Sequence, residues 1–203
     1  MVLSLPEIIA RINKDQSQPK HWRSLSFDPT LSPELMKRGQ CSVDLRLGLR
    51  FTVFKKKNYV GTFRLKMTKE MFEDADLWDE QEYEKGHIVT LHEGELVLAQ
   101  TLETVHLPHD LMGLVEGRSS WARMGVGIHV TAPKIDPGWD KPITLELTNH
   151  SRANYELEAG VERPCQLMLL KLSKPLSKAQ LYGTSSEHIF ADSDKPIPTK
   201  PKK

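Results

Sequence analysis

The sequence predicts a mainly β fold, a barrel or jelly roll, with a short N-terminal helix and one further helical turn. Short segments of strand character recur at regular spacing, turn-forming residues separate them, and clear helix signals occur only near the N-terminus and at residues 118–124. The strands are predicted at residues 42–48, 51–53, 60–65, 88–91, 95–101, 112–116, 127–132, 143–148, 153–157 and 165–172.

The first helix is predicted over residues 3–14. Ser4 is placed to cap its N-terminus, and Glu7 completes a capping box with it. An apolar stripe at helical spacing would face the core, and it consists of Leu5, Ile8, Ile9 and Ile12. The second helical signal is a single turn that Ser119 would cap.

Length and composition indicate one globular domain. The chain has 203 residues, of which 38% are hydrophobic and 27% charged. We predict the domain over residues 1–182 and a C-terminal lid or mobile tail over 183–203, where prolines and lysines are frequent. The acidic run at 69–86 lacks the spacing of a calcium-binding loop and is predicted to be a solvated insertion or helix face.

The charge balance and the cysteine count limit the classes of partner. The formal net charge is +1, which favours neither a nucleic acid nor a membrane surface as partner. No apolar run approaches the roughly 18 residues of a membrane helix, and the N-terminus does not resemble a signal peptide. Two cysteines, Cys41 and Cys165, do not make a disulfide framework, so we expect a reducing, cytoplasmic location.

Three segments carry candidate chemistry. Gly117–Arg123 joins two arginines and two serines where a strand becomes a helical turn; this combination suits a multi-phosphate anion, although a capped turn with surface arginines has the same pattern. Asp136–Trp139 is either an ordinary turn or a clamp for a sugar and base. Glu146 lies mid-strand on a polar face, where it is either exposed to solvent or a general base in a pocket.

Taken together and in this order, the segments GRSSWAR (117–123), HVTAPKIDPGW (129–139) and ITLELTN (143–149) resemble the dCTP deaminase family within the dUTPase-like superfamily. The resemblance extends upstream to SVDLRLG at 42–48 and covers most of the chain from 40 to 177. It implies a dUTPase-like β-barrel, or β-clip, and hydrolytic deamination of dCTP to dUTP and ammonia.

The resemblance also implies a role for each matching residue. Glu146 would be the general base, acting on a water that the backbone carbonyl of Ala132 also holds. Ser119 and Arg123 would lie close to the reacting base and orient Glu146, while Arg118 and Ser120 would mainly bind phosphate. The remaining contacts to the nucleotide would come from Asp136 (the 3′-hydroxyl), Thr144 and Leu145 (the base edge) and Tyr182 (the lid over the triphosphate).

Cofactors and partners follow from the same resemblance. Family members use no catalytic zinc, and the segment after Pro164 has only one of the two cysteines of a zinc deaminase motif. Mg²⁺ is implied as the companion of the nucleotide triphosphate, and dCTP and dUTP are the implied ligands. The family also implies a homotrimer whose active sites lie between subunits.

Two further functions remain open from the sequence. The first alternative is a bifunctional enzyme or a dUTPase, either of which releases pyrophosphate. The segment around Ala132, in which Pro133-Lys134 follows and Trp139 is the aromatic residue, is more similar to deaminases that stop at dUTP. After Tyr182, residues 183–193 contain neither the lysine nor the glutamine usual in the family's tail; Lys195 is the nearest substitute. A non-catalytic nucleotide-binding regulator is therefore the second alternative.

Overall fold

A computed structural model describes residues 1–15, 22–37, 40–54, 77–185, 191 and 195–196. Most of its regular structure is β-strand. The strands are β1 (Ser26–Asp28), β2 (Ser42–Leu45), β3 (Arg50–Phe54), β4 (Trp78–Glu82), β5 (Ile88–Leu91), β6 (Leu96–His106), β7 (Leu111–Gly117), β8 (Val126–Gly127), β9 (Lys134–Ile135), β10 (Asp140–Asn149), β11 (Tyr155–Glu158) and β12 (Cys165–Lys171). The helices are α1 (Leu5–Asp15), α2 (Ser119–Arg123) and two 3₁₀ turns, Pro33–Met36 and Lys178–Gln180.

The strands form three antiparallel sheets. The largest has the order β4-β3-β6-β10-β8, and β1 also pairs with β6. A second sheet has the order β2-β12-β7-β9, and β11 pairs with β5 in a two-stranded sheet. Buried residues from all three sheets belong to one hydrophobic core, so the mainly β prediction is confirmed.

Strand β10 shows how side-chain alternation produces this arrangement. Ile143, Leu145 and Leu147 are fully buried on the core face. Thr144 and Glu146 alternate with them and are half-buried on the opposite face. Because successive side chains of a strand point to opposite faces, the core residues determine which way Glu146 points.

The N-terminal helix forms close to where the sequence predicts it. The backbone N–H and the hydroxyl of Ser4 both donate to Oε2 of Glu7, at 2.8 and 2.7 Å. These hydrogen bonds lower the pKa of Glu7, because they favour the charged carboxylate. Ile8 and Ile12 of the predicted stripe are buried in the core.

Several boundaries differ from the prediction. Part of the acidic run forms strand β4, which pairs with β3 along its whole length, so the helix-face prediction is wrong for Trp78–Glu82. Residues 60–65 and 69–76 lie outside the described residues. Of the predicted strand at 127–132, only Gly127 lies in a strand, β8, and β1 was not predicted. These short strands depend on a partner strand distant in sequence, which local patterns do not reveal.

Within the described ranges, no helix has the length and apolar character needed to cross a membrane.

Candidate active site

One cavity of about 520 Å³ lies over the polar face of β10. Four of the predicted site residues line it: Ala132, Thr144, Glu146 and Tyr182. The rest of its lining is largely apolar and consists of Thr52, Phe54, Trp78, Leu96, Leu98, Lys134, Ile135, Trp139, Ile143 and Pro196. A concave, mostly apolar space with a few polar groups is the usual form of a small-molecule site.

Glu146 is held in place by its own backbone and by a neighbouring segment. Its N–H donates to the carbonyl of Ile128 at 2.9 Å, and its Oε2 accepts a hydrogen bond from the N–H of Val130 at 2.6 Å. The carboxylate is therefore oriented within the cavity, with Oε1 left for another partner. A half-buried, fixed carboxylate of this kind can act as a general base.

The turn after β9 places a charged pair and an aromatic ring beside the cavity. Lys134 forms a salt bridge to Asp136 at 2.8 Å. The indole N–H of Trp139 donates to the carbonyl of Lys141 at 2.8 Å, which fixes the ring against the cavity. Asp136 itself is not among the lining residues in this conformation, although its neighbours are.

The segment around Tyr182 packs against that turn. The N–H of Tyr182 donates to the carbonyl of Pro137 at 2.9 Å, and the ring centroids of Tyr182 and Trp139 are 4.8 Å apart. Gly138 has a φ of +86°, and a Cβ at this position would come within 2.6 Å of the Leu181 Cβ. Burial raises the pKa of Tyr182, and the negative charge of Asp136 adds to this effect. The phenol is therefore neutral at physiological pH.

The chain beyond Tyr182 also returns to the cavity. Lys195 forms a salt bridge to Glu80 of β4 at 2.8 Å, and Pro196 is buried in the cavity lining. The ammonium of Lys141 donates to the carbonyl of Ala191. Of the predicted tail, Pro196 thus lies in the cavity wall, and Lys195 is bound to β4.

The GRSSWAR segment lies elsewhere on the chain's surface. Ser119, Ser120 and Arg123 are exposed on α2 and at its end, and none of them lines the cavity that holds Glu146. Arg118 is half-buried, 3.7 Å from the buried carboxylate of Asp44, and donates to the carbonyl of Arg163 at 3.4 Å. A single chain therefore does not bring the predicted anion-binding residues together with the predicted base.

Leu145 is the other predicted residue that lies outside the cavity. Its side chain is fully buried in the core on the face opposite Glu146. Any contact from Leu145 to a ligand would thus come from its backbone.

The structure adds lining residues that the sequence did not single out. Thr52 and Phe54 point to one face of β3, and Trp78 of β4 lies beside Phe54 with ring centroids 5.3 Å apart. A tryptophan within an otherwise acidic run was the available signal, because such a side chain needs a buried surface.

Comparison with known proteins decides the family. A sequence profile described as dCTP deaminase-like matches residues 2–172. The chain belongs to the dCTP deaminase-like family. Its relatives include a dCTP deaminase, dUMP-forming, of Dictyoglomus turgidum, which is 40% identical over 163 residues, or 80% of each chain. A dCTP deaminase of Natronomonas pharaonis is 36% identical over 183 residues, covering 90% of this chain and 86% of the relative.

Among solved structures, the 2′-deoxycytidine 5′-triphosphate deaminase of Agrobacterium tumefaciens superimposes with a TM-score of 0.57 at 18% identity. The match covers 83% of this chain and 47% of that one. This likeness shows that the two chains share a fold.

Proposed function

We propose that this chain catalyses hydrolytic deamination of dCTP to a deoxyuridine nucleotide and ammonia, in pyrimidine deoxynucleotide metabolism. The observation that carries the proposal is the Glu146 carboxylate, fixed at 2.6 Å by the N–H of Val130 inside a cavity large enough for a nucleoside. Family membership supports the choice of substrate.

In the proposed mechanism Glu146 removes a proton from a water that the carbonyl of Ala132 also holds. The resulting hydroxide attacks C4 of cytosine; the C–O bond forms as the C4=N3 π bond opens, and N3 takes the proton from the Glu146 carboxyl. The carboxylate then takes the hydroxyl proton of the tetrahedral intermediate and passes it to the exocyclic nitrogen, so that C4=O forms as the C4–N bond breaks and ammonia leaves. The hydrogen bond to Oε2 leaves Oε1 to carry the proton in both steps. No step uses zinc.

The other predicted residues would hold the rest of the substrate, which we write as the Mg²⁺ complex of dCTP because Mg²⁺ binds phosphate oxygens. Arg118 and Ser120 would mainly bind the triphosphate, with Tyr182 over it, while Ser119 and Arg123 would lie close to the reacting base and orient Glu146. Asp136 would accept the 3′-hydroxyl after its salt bridge to Lys134 rearranges. Thr144 and the backbone of Leu145 would contact the base edge.

We infer a homotrimer in which the GRSSWAR segment of one subunit completes the Glu146 cavity of its neighbour. This assignment explains why Ser119 and Arg123 are exposed and lie outside the cavity of their own chain. We further propose a cytoplasmic location, since neither Cys41 nor Cys165 forms a disulfide.

Mixing two inactive variants tests the shared site. Arg123→Ala and Glu146→Gln trimers should each be inactive, and subunits exchanged at equal amounts should regain about a quarter of wild-type activity, because one interface in four then pairs two intact elements. Deamination would be measured after unfolding and refolding the mixture. If the site lies within one chain, the mixture stays inactive; the refolded wild type is the control.

The reaction product distinguishes the proposed deaminase from its alternatives. We expect dCTP with Mg²⁺ to yield dUTP, which a separate enzyme would then hydrolyse. A bifunctional enzyme has specific support, because two relatives at 40% and 43% identity are named dUMP-forming. Accumulation of dUMP and pyrophosphate would establish that alternative, and feeding dUTP alone identifies a dUTPase. Tight nucleotide binding without release of ammonia or pyrophosphate would indicate a regulator and refute the proposal.

A further inference from the structure

Two polar atoms in the wall of the Glu146 cavity are buried without a hydrogen-bond partner among the described residues. They are the hydroxyl oxygen Oγ1 of Thr52 and the indole nitrogen Nε1 of Trp78. Both residues line the same cavity as Glu146. Both lie within the residues that the family profile matches, but neither belongs to the four motifs at 42–48, 117–123, 129–139 and 143–149.

An unpaired buried polar group reduces stability, so folded proteins contain few of them. Thr101, on the neighbouring strand β6, shows the ordinary arrangement. Its hydroxyl donates to the carbonyl of Glu103 at 2.7 Å and accepts from the N–H of Ile143 at 2.9 Å. Thr52 is equally buried, at 1% exposure against 0% for Thr101, but lacks such partners among the described residues. A ligand in the cavity would supply the missing partner.

The strand register sets the distance of these atoms from the proposed base. Thr52 pairs with Leu98, and Leu98 pairs with Glu146, so the three residues form one row across β3, β6 and β10. Two strand spacings separate Thr52 from Glu146, which is roughly 10 Å. Trp78 of β4 pairs with Phe54, two residues further along β3. The two unpaired atoms thus lie at the β3–β4 end of the cavity, on strands two and three positions from β10 in the sheet.

The groups at this end of the cavity favour an uncharged part of the ligand. The indole N–H can only donate, and a threonine hydroxyl can donate or accept, so an oxygen acceptor would satisfy both. Phe54, Leu96 and Leu98 form the surrounding wall, and an apolar wall disfavours a charged phosphate. An oxygen of the base or of the sugar meets both requirements.

We propose that Thr52 and Trp78 are specificity-determining residues that hydrogen-bond an uncharged oxygen of the nucleoside, either the 2-carbonyl of the pyrimidine or the oxygen of the deoxyribose 3′-hydroxyl, whose O–H would donate to Asp136. This inference rests on the proposed function, because it takes the cavity to bind the nucleotide. Sites that hydrogen-bond a substrate oxygen discriminate strongly, since an analogue without it leaves the buried groups unpaired.

Thr52→Val and Trp78→Phe remove the polar atoms and keep most of the side-chain volume. Each should raise the KM for dCTP about tenfold with little change in kcat, as for the loss of one hydrogen bond to a ligand. Thr52→Val should leave the Tm unchanged or higher, because the unpaired hydroxyl is gone. Thr101→Val is the matched control: its Tm should fall by about 4 °C and its KM should not change.

Two nucleotide analogues locate the contact. If the partner is the pyrimidine carbonyl, 2-thio-dCTP binds the wild type more weakly than dCTP does, and Thr52→Val causes no further loss. If the partner is the sugar hydroxyl, dideoxy-CTP instead binds the wild type more weakly than dCTP does, and Thr52→Val causes no further loss. Affinity for inorganic triphosphate should be the same in the wild type and in both variants.

An unchanged KM in both variants, or a KM increase matched by an equal weakening of triphosphate binding, overturns the inference. The inference is also overturned if Thr52→Val raises the KM for dCTP and weakens the binding of both analogues by the same factor. Calorimetric Kd values for dCTP separate this result from the proposed function, because binding does not require turnover. If the wild type binds dCTP without deaminating it, the deaminase assignment fails, and weaker binding by Thr52→Val still supports the contact.

Discussion

Replacing Glu146 with glutamine is expected to reduce dCTP deamination by about 10³-fold or more, to the limit of an ammonia-release assay. The amide is nearly the same size as the carboxylate and can still accept the hydrogen bond from Val130 through its oxygen. It cannot take a proton from water at neutral pH. The proton transfer that generates hydroxide is therefore lost while the cavity keeps its shape.

Binding and stability separate this effect from misfolding. The Glu146→Gln variant should bind dCTP within a few-fold of the wild type and unfold at nearly the same temperature. Glu156→Gln, on the exposed face of β11, is the matched control and should be fully active. Deamination retained by Glu146→Gln would refute the general-base mechanism, whatever the family of the chain.

Replacing Glu103 with alanine should cause the largest loss of stability among single substitutions of charged residues. Glu103 is completely buried, and its carboxylate accepts hydrogen bonds from both the Nε and the backbone N–H of Arg46, at 2.7 and 2.8 Å. Removing the carboxylate leaves the backbone N–H and the guanidinium of Arg46 without their partner; because the Arg46 side chain is 24% exposed, the cost should be about 3 kcal/mol, the low end for a broken buried ion pair. For a chain of this size the Tm should fall by roughly 10 °C.

An exposed ion pair in the same protein serves as the control. Glu82 lies 3.4 Å from Arg50, but its side chain is 61% exposed. Its contribution should be near zero, because solvent screens the pair, and Glu82→Ala should change the Tm by less than 2 °C. Equal Tm losses in the two variants, measured by thermal unfolding, would show that burial does not determine the strength of these pairs.

The sequence predicted secondary structure and burial best where apolar residues repeat at the period of a strand or a helix. Ile143, Leu145 and Leu147 alternate with polar residues, and the structure confirms that these three are buried. The N-terminal helix was predicted from its capping residues for the same reason, because the signal is local. Strand β4 was missed, since its acidic residues lie at the edge of a sheet and depend on pairing with β3.

In the candidate site, too, some residues could be predicted from the sequence and others could not. Glu146, Ala132, Thr144 and Tyr182 were proposed from motifs, and they line one cavity. Thr52 and Trp78 lie outside those motifs and join the cavity only because β3 and β4 extend the sheet beyond β6. The separation of Ser119 and Arg123 from Glu146 within one chain was likewise not visible in the sequence.

The sequence by itself therefore determined the family, the mainly β class and the face of β10 to which Glu146 belongs. These properties depend on residue type and on the two-residue period of a strand, both of which can be counted along the chain. Only the tertiary structure decided which distant segments enclose the carboxylate and which polar atoms remain buried without a partner. Those features depend on strand register and on how loops pack, and they arise from contacts between residues far apart in the chain.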